Sequence, residues 1–434
     1  MLFPENVNDV RKIILEARET GKGLVPVSSG PPHIHGGSAN PDAETVCFSR
    51  MDRIIKIDRR SRYCRIEPGV TFGDLIPKLA ESGMRLNMPF LPRANKSVAA
   101  SVLEREGVLV PKYQYDYPDP LLTVEAVFGT GDIMHTGSAS GPGPVEENRS
   151  DMVLPWGPAT IDYYRLFTAA QGTMGFLTWA TMKTEVKPSL GSLFFILSDE
   201  LKPLTELAND ICRNRVPDEI IILDRASFTD AFADSAAEEE ALSGAPEWIM
   251  LCRVCGFDRY PEERVSIYEG YVEDACARFG LTCEKQPSFL PFPAEKAEKM
   301  LMDCDRREVY WKERRGVRKE LLMLAPPSKT PDIVSAARAE IPGAEIIVQP
   351  QVQGRAFRIE IGVYGDGSEG YAKDTDDLFL NAAKKLMPLG AYFDRPYGRL
   401  PELVYPEPVS LEVIRKLKGI FDPDHILNPG KLCF

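Results

Sequence analysis

Apolar positions near the N-terminus recur first at helical spacing and then at strand spacing. The helical pattern covers residues 4–20 and is broken at Gly21, which predicts one amphipathic helix. Residues 24–27 form a short apolar run typical of a buried strand. Residues 54–57 and 63–66 alternate apolar and polar side chains, as half-buried strands do. The chain therefore begins as a mixture of helix and strand.

The same pattern continues towards the middle of the chain. Thr71 predicts the N-cap of a helix over roughly 72–82. Two apolar runs, 122–128 and 133–136, flank the turn sequence GTGD and predict a β-hairpin. After residue 188 strands and helices are mixed, with strands expected at 193–197, 346–349 and 356–361 and a helix at 200–213. The pattern predicts an α+β fold.

Length and composition place the chain among globular proteins. Its 434 residues are too many for one ordinary core, so two domains are expected. Hydrophobic residues make up 44% and charged residues 27%, which is a normal globular balance. The net charge of −12 argues against nucleic acid or an anionic membrane as the main partner.

The ends and the cysteines suggest a cytoplasmic protein without metal centres. No apolar run reaches the length of a membrane span, and residues 1–6 show no features of a signal peptide. The nine cysteines are scattered, apart from the C-x-x-C formed by Cys252 and Cys255. Because no second C-x-x-C exists, neither a metal nor an iron–sulfur site is expected.

Two short segments carry the strongest functional signal. Residues 171–178 read QGTMGFLT, and residues 421–431 read FDPDHILNPGK. Both resemble signatures of the FAD-linked oxidoreductases of the vanillyl-alcohol oxidase and p-cresol methylhydroxylase type. The resemblance implies a PCMH-type FAD-binding domain over 1–190, an α+β cap domain over 191–385, and a C-terminal segment, 386–434, that returns to the FAD domain.

The resemblance also implies the residues that hold FAD. Glycines in such loops let backbone N–H groups converge on a pyrophosphate. Pro31 and Pro32 depart from the family pattern because proline has no N–H, so the donors are expected between His33 and Ser38. A histidine of this loop tethers FAD in some members; the alternative is a histidine lying near phosphate. The expected FAD-binding residues are Ser29, Gly30, His33, His35, Gly36, Gly37, Ser38, Ser97, Gly172, Gly175 and Asn428.

Four residues are candidates for the reaction itself. Hydride transfer to flavin N5 needs a group that handles the hydroxyl or phenol proton and a nearby positive charge. Asp116 lies where phenol-oxidising members carry an acid; the alternative is a turn aspartate. Arg395 resembles the arginine of a late tyrosine-arginine pair; the alternative is a structural ion pair with Asp394 or a neighbour. Because Asp394 stands in the tyrosine position, Tyr392, Tyr397 or Arg399 is expected to compensate. Arg358 and Glu360 share one face of a predicted strand that would cover the flavin.

Three functions remain open from the sequence. The 103–108 segment resembles the phenol-oxidising branch and favours a para-substituted phenol or aryl alcohol as substrate. The missing late tyrosine and the arginines favour a small 2-hydroxy acid such as glycolate or D-lactate. The third possibility is a flavin-binding, catalytically silent subunit of a larger redox complex. Re-oxidation would require oxygen or an electron-acceptor protein, and homo- and hetero-oligomers both remain open.

Overall fold

The structure is a computed structural model that describes residues 1–31, 33, 40–111, 120–137, 163–405 and 407–434. The helices in these residues are α1 (Val7–Thr20), α2 (Phe72–Glu81), α3 (Val98–Leu103), α4 (Leu201–Arg213), α5 (Arg225–Phe232), α6 (Ala236–Leu242), α7 (Pro261–Phe279), α8 (Ala294–Met300), α9 (Thr330–Glu340), α10 (Glu369–Leu386), α11 (Pro401–Val404) and α12 (Pro408–Phe421). The strands are β1 (Leu24–Val27), β2 (Glu44–Cys47), β3 (Ile54–Asp58), β4 (Tyr63–Ile66), β5 (Met84–Leu86), β6 (Leu121–Val127), β7 (Ile133–His135), β8 (Phe176–Val186), β9 (Leu190–Ser198), β10 (Glu219–Asp224), β11 (Trp248–Gly256), β12 (Thr282–Glu284), β13 (Val317–Ala325), β14 (Glu345–Gln351) and β15 (Ala356–Gly365).

Residues at the predicted helix ends act as caps. Asn6 accepts two backbone N–H groups of the first turn of α1, and Gly21 ends that helix with a left-handed φ of 68°. Thr71 accepts the backbone N–H of Asp74 at the start of α2. The helices predicted at 4–20 and 72–82 are confirmed to within a few residues, because their stop and start signals are local.

The described strands form three sheets. β1 and β2 pair in parallel, and the second sheet runs β3-β4-β8-β6-β7, with β5 also paired to β8. The third sheet is antiparallel and runs β12-β9-β11-β10-β14-β15-β13. The predicted hairpin of β6 and β7 and the predicted pairing of β14 with β15 are both confirmed.

The seven-stranded sheet is buried on both faces. Ile220 and Ile222 of β10 belong to the core beneath α4, α7, α9 and α10, whereas Ile221 and Leu223 belong to a second cluster with Phe90 and Trp311. Successive strand residues point to opposite faces, which explains why β10 is apolar from Ile220 to Leu223. The second face is therefore available to meet the N-terminal half. The domain boundaries at 190 and 385 stay a prediction.

A buried lysine, Lys418, holds the C-terminal segment in place through hydrogen bonds. Lys418 is 1% exposed. Its ammonium donates to the carbonyl oxygens of Thr173 (2.6 Å) and Leu427 (3.1 Å) and to the Asp422 carboxylate (2.5 Å). Asp422 also accepts the backbone N–H groups of Ile426 and Leu427. Each buried charge thus has an opposite charge and hydrogen-bond partners.

The same carboxylate sits against the hairpin turn. A Cβ atom added to Gly129 would lie 2.3 Å from Asp422 Oδ1, so only glycine leaves room for the tail there. Beyond Asp422, Leu24 donates its N–H to Ile426, and Asn428 donates its N–H to Leu24, both at 2.7 Å. The last residues of the chain therefore continue along β1.

Replacing Lys418 by methionine will leave Asp422 charged and buried without its cation. We expect the free energy of unfolding to fall by about 3–5 kcal/mol, as when one partner of a buried pair is removed. Denaturant unfolding followed by circular dichroism measures this. Lys416→Met on the same helix is the control, since Lys416 is 70% exposed. Equal losses in the two variants would contradict the role given to Lys418.

Two neighbouring buried carboxyl groups, Asp230 and Glu345, predict how the stability of the protein depends on pH. Asp230 and Glu345 are 4% and 1% exposed, and the Arg315 guanidinium lies 2.9 Å from Asp230 Oδ2 and 3.4 Å from Glu345 Oε1. Burial and the neighbouring Glu345 carboxyl raise the pKa of Asp230 from 3.8 to about 7, against the opposing effect of Arg315. The folded protein therefore binds a proton that the unfolded chain releases above pH 3.8.

Stability from this proton is complete below the unfolded pKa and is lost as pH rises through 7. We expect the melting temperature of the wild type to fall between pH 5 and pH 8. Asp230→Asn donates a permanent hydrogen bond to Glu345 and should reduce this slope. Calorimetry across that range measures it, and an unchanged slope in the variant would assign the dependence to other groups.

Candidate active site

Two adjoining cavities lie between the seven-stranded sheet and the N-terminal half. The first, the charged cavity, has a volume of about 150 Å³, and the second, the glycine-lined cavity, a volume of about 130 Å³. The residues common to the two walls are Pro26, Val27, Ser28, Ala100, Glu104 and Arg395. The cavities therefore form one continuous region at the start of the segment that follows β1.

Side chains of the seven-stranded sheet line one side of the charged cavity. Arg358 and Glu360 of β15 both reach this cavity, whereas Phe357 and Ile359 lie in the core on the opposite face. This arrangement agrees with the shared face predicted for Arg358 and Glu360. On the opposite side of the cavity, the backbone at Gly107 comes very close to β14. A Cβ atom on Gly107 would lie 2.4 Å from Gln349 Oε1 of that strand.

A partly buried lysine, Lys96, organises the charges at the junction of the two cavities. Lys96 Nζ lies 3.1 Å from Glu104 and 2.5 Å from Glu106, and Ser101 Oγ donates to Glu106 at 2.6 Å. Burial alone would raise the pKa of Glu106, but the Lys96 ammonium and the Arg395 guanidinium lower it to about 2. Glu106 is therefore a carboxylate at neutral pH, and we do not consider it a proton donor.

Arg395 lines both cavities. It is 5% exposed, lies 3.6 Å from Glu104, and donates to Tyr397 Oη at 3.4 Å. Its Nε–H has no acceptor among the described residues. Burial would lower the pKa of Arg395, but Tyr397, Glu106 and Glu104 raise it, so the guanidinium stays charged. Burial raises the pKa of Tyr397 to about 12, which keeps that hydroxyl neutral.

Arg358 pairs with Asp394, the residue that departs from the family pattern. Its two terminal nitrogens donate to the two oxygens of Asp394 at 2.9 and 3.3 Å. Such a forked pair fixes the guanidinium strongly. From the sequence, an ion pair between Arg395 and Asp394 was an open alternative. In the structure Asp394 pairs with Arg358, and Arg395 pairs with Glu104.

Tyr392 does not reach either cavity. Its side chain is 62% exposed, and its backbone pairs with Leu324 of β13 through hydrogen bonds of 2.9 and 2.8 Å. The expectation that Tyr392 replaces the missing tyrosine needs correcting: pairing with the edge of β13 turns its side chain outward.

Three predicted cofactor residues line the glycine-lined cavity. Gly172 has a φ of 72°, and a Cβ atom there would lie 2.4 Å from Pro26 Cγ. A Cβ atom on Gly175 would lie 2.8 Å from Phe167. Asn428 donates its amide to the carbonyl of Gln171 at 2.6 Å, while its Oδ1 has no donor among the described residues. An unpartnered amide oxygen in a cavity wall is suited to a ligand N–H or O–H group.

The predicted residues before α3 have different roles. Ser97 is fully buried; its Oγ donates to Pro68 O and caps α3, and its N–H donates to Ser29 Oγ at 2.9 Å. Ser97 therefore positions Ser29, which lines the charged cavity. Gly30 donates its N–H to Asn95 O at 3.0 Å and has no room for a side chain beside Asn95.

His33 also lines the charged cavity. Burial, together with the nearby Arg93 guanidinium, lowers the pKa of His33, so its imidazole is neutral at pH 7. The other predicted residues of this loop and the predicted acid lie outside the described residues: His35, Gly36, Gly37, Ser38 and Asp116.

Sequence reasoning missed several residues of the charged cavity. Arg93 lies four residues before the predicted Ser97, and Lys96 lies directly before it. Two cations so close to a predicted cofactor residue could have indicated that they line the same site. Tyr310 and Trp311 carried no such signal, because they belong to the part of the chain with little resemblance to the family. Phe90 and Trp311 stack edge to face, with ring centroids 5.5 Å apart, and form an aromatic wall.

Comparison with known proteins agrees with this geometry. Residues 1–137 match the FAD binding domain family model, and residues 404–432 match the C-terminal domain of FAD linked oxidases. The glycolate oxidase subunit GlcD of Bacillus subtilis is 22% identical, covering 100% of this chain and 88% of that protein. The D-2-hydroxyglutarate dehydrogenase of Stutzerimonas stutzeri is also 22% identical, covering 100% of this chain and 90% of that protein.

A solved structure shows the same fold. Substrate-bound p-cresol methylhydroxylase superposes with a TM-score of 0.82 at 19% identity, covering 100% of this chain and 88% of that chain. The matched FAD binding domain and the relatives that span the chain identify it as an FAD-dependent oxidoreductase whose cofactor is FAD. The predicted α+β, PCMH-type fold is confirmed.

The residues present are compatible with FAD. Two adjoining cavities share part of their walls, Gly172 lets the backbone come close, and Asn428 and Arg395 each offer an unsatisfied polar atom. No described helix is long and apolar enough to cross a membrane. Within the described ranges, no group of three His, Cys, Asp or Glu side chains could hold a metal ion.

Replacing Gly172 by alanine should weaken FAD binding while the protein stays folded. The left-handed φ and the 2.4 Å contact with Pro26 both oppose a Cβ atom, so the 171–175 loop must shift. We expect at least about a tenfold higher dissociation constant for FAD, a change of about 1.4 kcal/mol, measured by flavin fluorescence after dilution. Gly419→Ala, where no atom lies within 4 Å, is the control. Unchanged FAD affinity in Gly172→Ala would exclude this loop from the cofactor site.

Proposed function

We propose that this chain oxidises a para-substituted phenol or aryl alcohol by hydride transfer to FAD. The observation that carries the proposal is a charge-compensated cavity with an aromatic wall. A neutral aromatic substrate can enter such a cavity without breaking an ion pair, whereas a carboxylate needs a cation of its own.

The compensation can be followed ion by ion. The cations of the charged cavity are Arg93, Lys96, Lys312, Arg358 and Arg395, and the carboxylates around them are Glu104, Glu106, Glu320, Glu360 and Asp394. Lys312 lies 3.1 Å from Glu320 and 2.5 Å from Glu360. Four of the five cations thus lie within 4.0 Å of a carboxylate of the protein.

Tyr310 and Arg93 are the pair we assign to the phenolic oxygen. The Arg93 guanidinium carbon lies 5.8 Å from the centre of the Tyr310 ring, and both residues line the charged cavity. Burial and the carboxylates of Glu106, Glu320 and Glu360 raise the pKa of Tyr310, so it remains a neutral O–H donor. A neutral donor beside a cation stabilises a developing phenolate. The similarity to p-cresol methylhydroxylase supports this substrate class.

Bound FAD supplies the hydride acceptor. The substrate loses a hydride from the benzylic carbon that is attached to the ring para to its hydroxyl group, and a proton from the hydroxyl itself. Neutral His33 and the charged cavity's carboxylates are the described groups available to accept that proton. Arg395, which lines both cavities, is placed to stabilise negative charge where cofactor and substrate meet.

A second candidate is the oxidation of a 2-hydroxy acid. The relatives that span the full chain include a glycolate oxidase subunit and a D-2-hydroxyglutarate dehydrogenase. In that case Arg93 would be the residue that meets the substrate carboxylate. The electron acceptor, oxygen or a protein, is left to experiment in both cases.

Anaerobic bleaching of the flavin separates the candidates. We expect 4-alkylphenols and 4-hydroxybenzyl alcohols to bleach the visible band, and their O-methyl ethers not to, because an ether has no proton to release. Glycolate, D-lactate and D-2-hydroxyglutarate should leave the band unchanged. Bleaching by hydroxy acids alone would replace the proposal with the second candidate. A flavin reduced by dithionite but by none of these compounds would favour a silent subunit.

In the same assay, Arg395→Ala should slow flavin reduction by about 100-fold, the usual effect of removing one group that stabilises developing charge. FAD content, read from the absorption spectrum, separates this from cofactor loss. Arg355→Ala is the matched control, since Arg355 is an exposed arginine next to β15 outside both cavities. A wild-type reduction rate in Arg395→Ala would remove Arg395 from the active site.

A further inference from the structure

A third cavity, unconnected with the proposed reaction, lies between α2, β5 and the segment after α8. Its volume is about 370 Å³, which is typical of sites for small organic ligands. We call it the methionine-lined cavity. Its apolar wall consists of Ile76, Ala80, Met84, Leu86, Met88, Leu109, Val110, Leu301 and Met302. The wall is aliphatic and contains no aromatic ring, in contrast to the charged cavity.

One layer of backbone separates this cavity from the charged cavity. Met88 lines the methionine-lined cavity, while Pro89 and Phe90, which follow it, line the charged cavity. Leu109 donates its N–H to Met88 O at 3.0 Å, and Ile220 donates to Leu109 O at 3.1 Å. These hydrogen bonds close the partition, so an occupant would lie behind the active site and not within it.

The interior charges compensate each other. Arg85 forms an ion pair with Glu219, which is 2% exposed and also lies 3.0 Å from Arg253. Arg253 in turn lies 2.8 Å from Glu298. The Glu219 carboxylate that lines the cavity is thus paired with two guanidinium groups. Apolar side chains and a charge-paired inner end suit a hydrocarbon chain.

The mouth of the cavity carries an excess of positive charge. Lys187, Lys299 and Arg306 stand there with one carboxylate, Asp303. Asp303 pairs with Arg306 at 3.5 Å. Within the described part of the chain, neither lysine ammonium lies within ion-pair distance of a carboxylate. In a chain with net charge −12, two uncompensated ammonium groups beside an apolar cavity mark a site for an anion.

We propose that the methionine-lined cavity binds an aliphatic acyl chain with an anionic head group. The chain lies along the methionine and leucine side chains, and the head group lies between Lys187 and Lys299. Methionine side chains adapt their shape to flexible aliphatic ligands. Free fatty acids, acyl phosphates and anionic lipids share this chemistry, and competition experiments tell them apart.

The first test is equilibrium binding of a dansyl-labelled undecanoate to the FAD-loaded full-length protein. We expect saturable binding that dodecanoate and dodecyl phosphate displace, and that dodecanol and dodecyltrimethylammonium displace poorly. Affinity should fall as salt is raised, because exposed charges are screened. Displacement by phosphatidylglycerol vesicles but not by dodecanoate would assign the site to lipid. Absence of saturable binding, or equal displacement by the cationic detergent, would overturn the proposal.

Variants locate the binding site. Lys187→Glu with Lys299→Glu should weaken binding about tenfold or more, since both attractive charges become repulsive. Lys12→Glu, a 76% exposed lysine on α1, is the charge-matched control. Ala80→Phe fills the apolar end from the surface of α2 and should also reduce binding. Wild-type affinity in both the double lysine variant and Ala80→Phe would show that the probe binds elsewhere. Flavin bleaching by substrate should be unaffected in all of them.

Discussion

The ammonium of Lys418 holds together three parts of the chain that are far apart in sequence. It bonds to the loop at Thr173, to the tail at Leu427 and to Asp422, which itself presses against the turn at Gly129. An unpaired charge in that position would be very unfavourable, so the three parts can adopt only arrangements that surround it. The glycine-lined cavity depends on this constraint, because Gly172 and Asn428 lie next to the residues that Lys418 fixes.

Charge pairing also shapes the catalytic region. Lys96, Glu104, Glu106 and Arg395 form one partly buried network at the junction of the two cavities. In a medium of low dielectric such a network is favourable only when its members are mutually satisfied. This near neutrality supports the proposed uncharged aromatic substrate, and Arg395 Nε, which has no acceptor among the described residues, is available to a ligand. The methionine-lined cavity differs, because its uncompensated charge is at the mouth and Glu219 at its inner end is paired.

Local signals allowed much of the fold and part of the site to be predicted. Caps and glycine stops lie within a few residues of the helices they control, which is why α1 and α2 were anticipated. The hairpin of β6 and β7 follows from its turn sequence. Gly172 and Asn428 belong to short motifs whose residue types are required by close backbone approach. Tyr392, by contrast, is close to Arg395 in sequence, but its side chain is exposed and does not reach the cavity.

The sequence by itself predicted many of the helices and strands and the resemblance to FAD-linked oxidoreductases, because each depends on residue types at short spacing. Only the tertiary structure decided the ion partners and the cavity walls. Asp394 pairs with Arg358, 36 residues away, and not with its neighbour Arg395. Tyr310 and Lys96 come from different halves of the chain and still line one cavity. Such contacts depend on which sheet face meets which loop, and burial then fixes the partner of each charge.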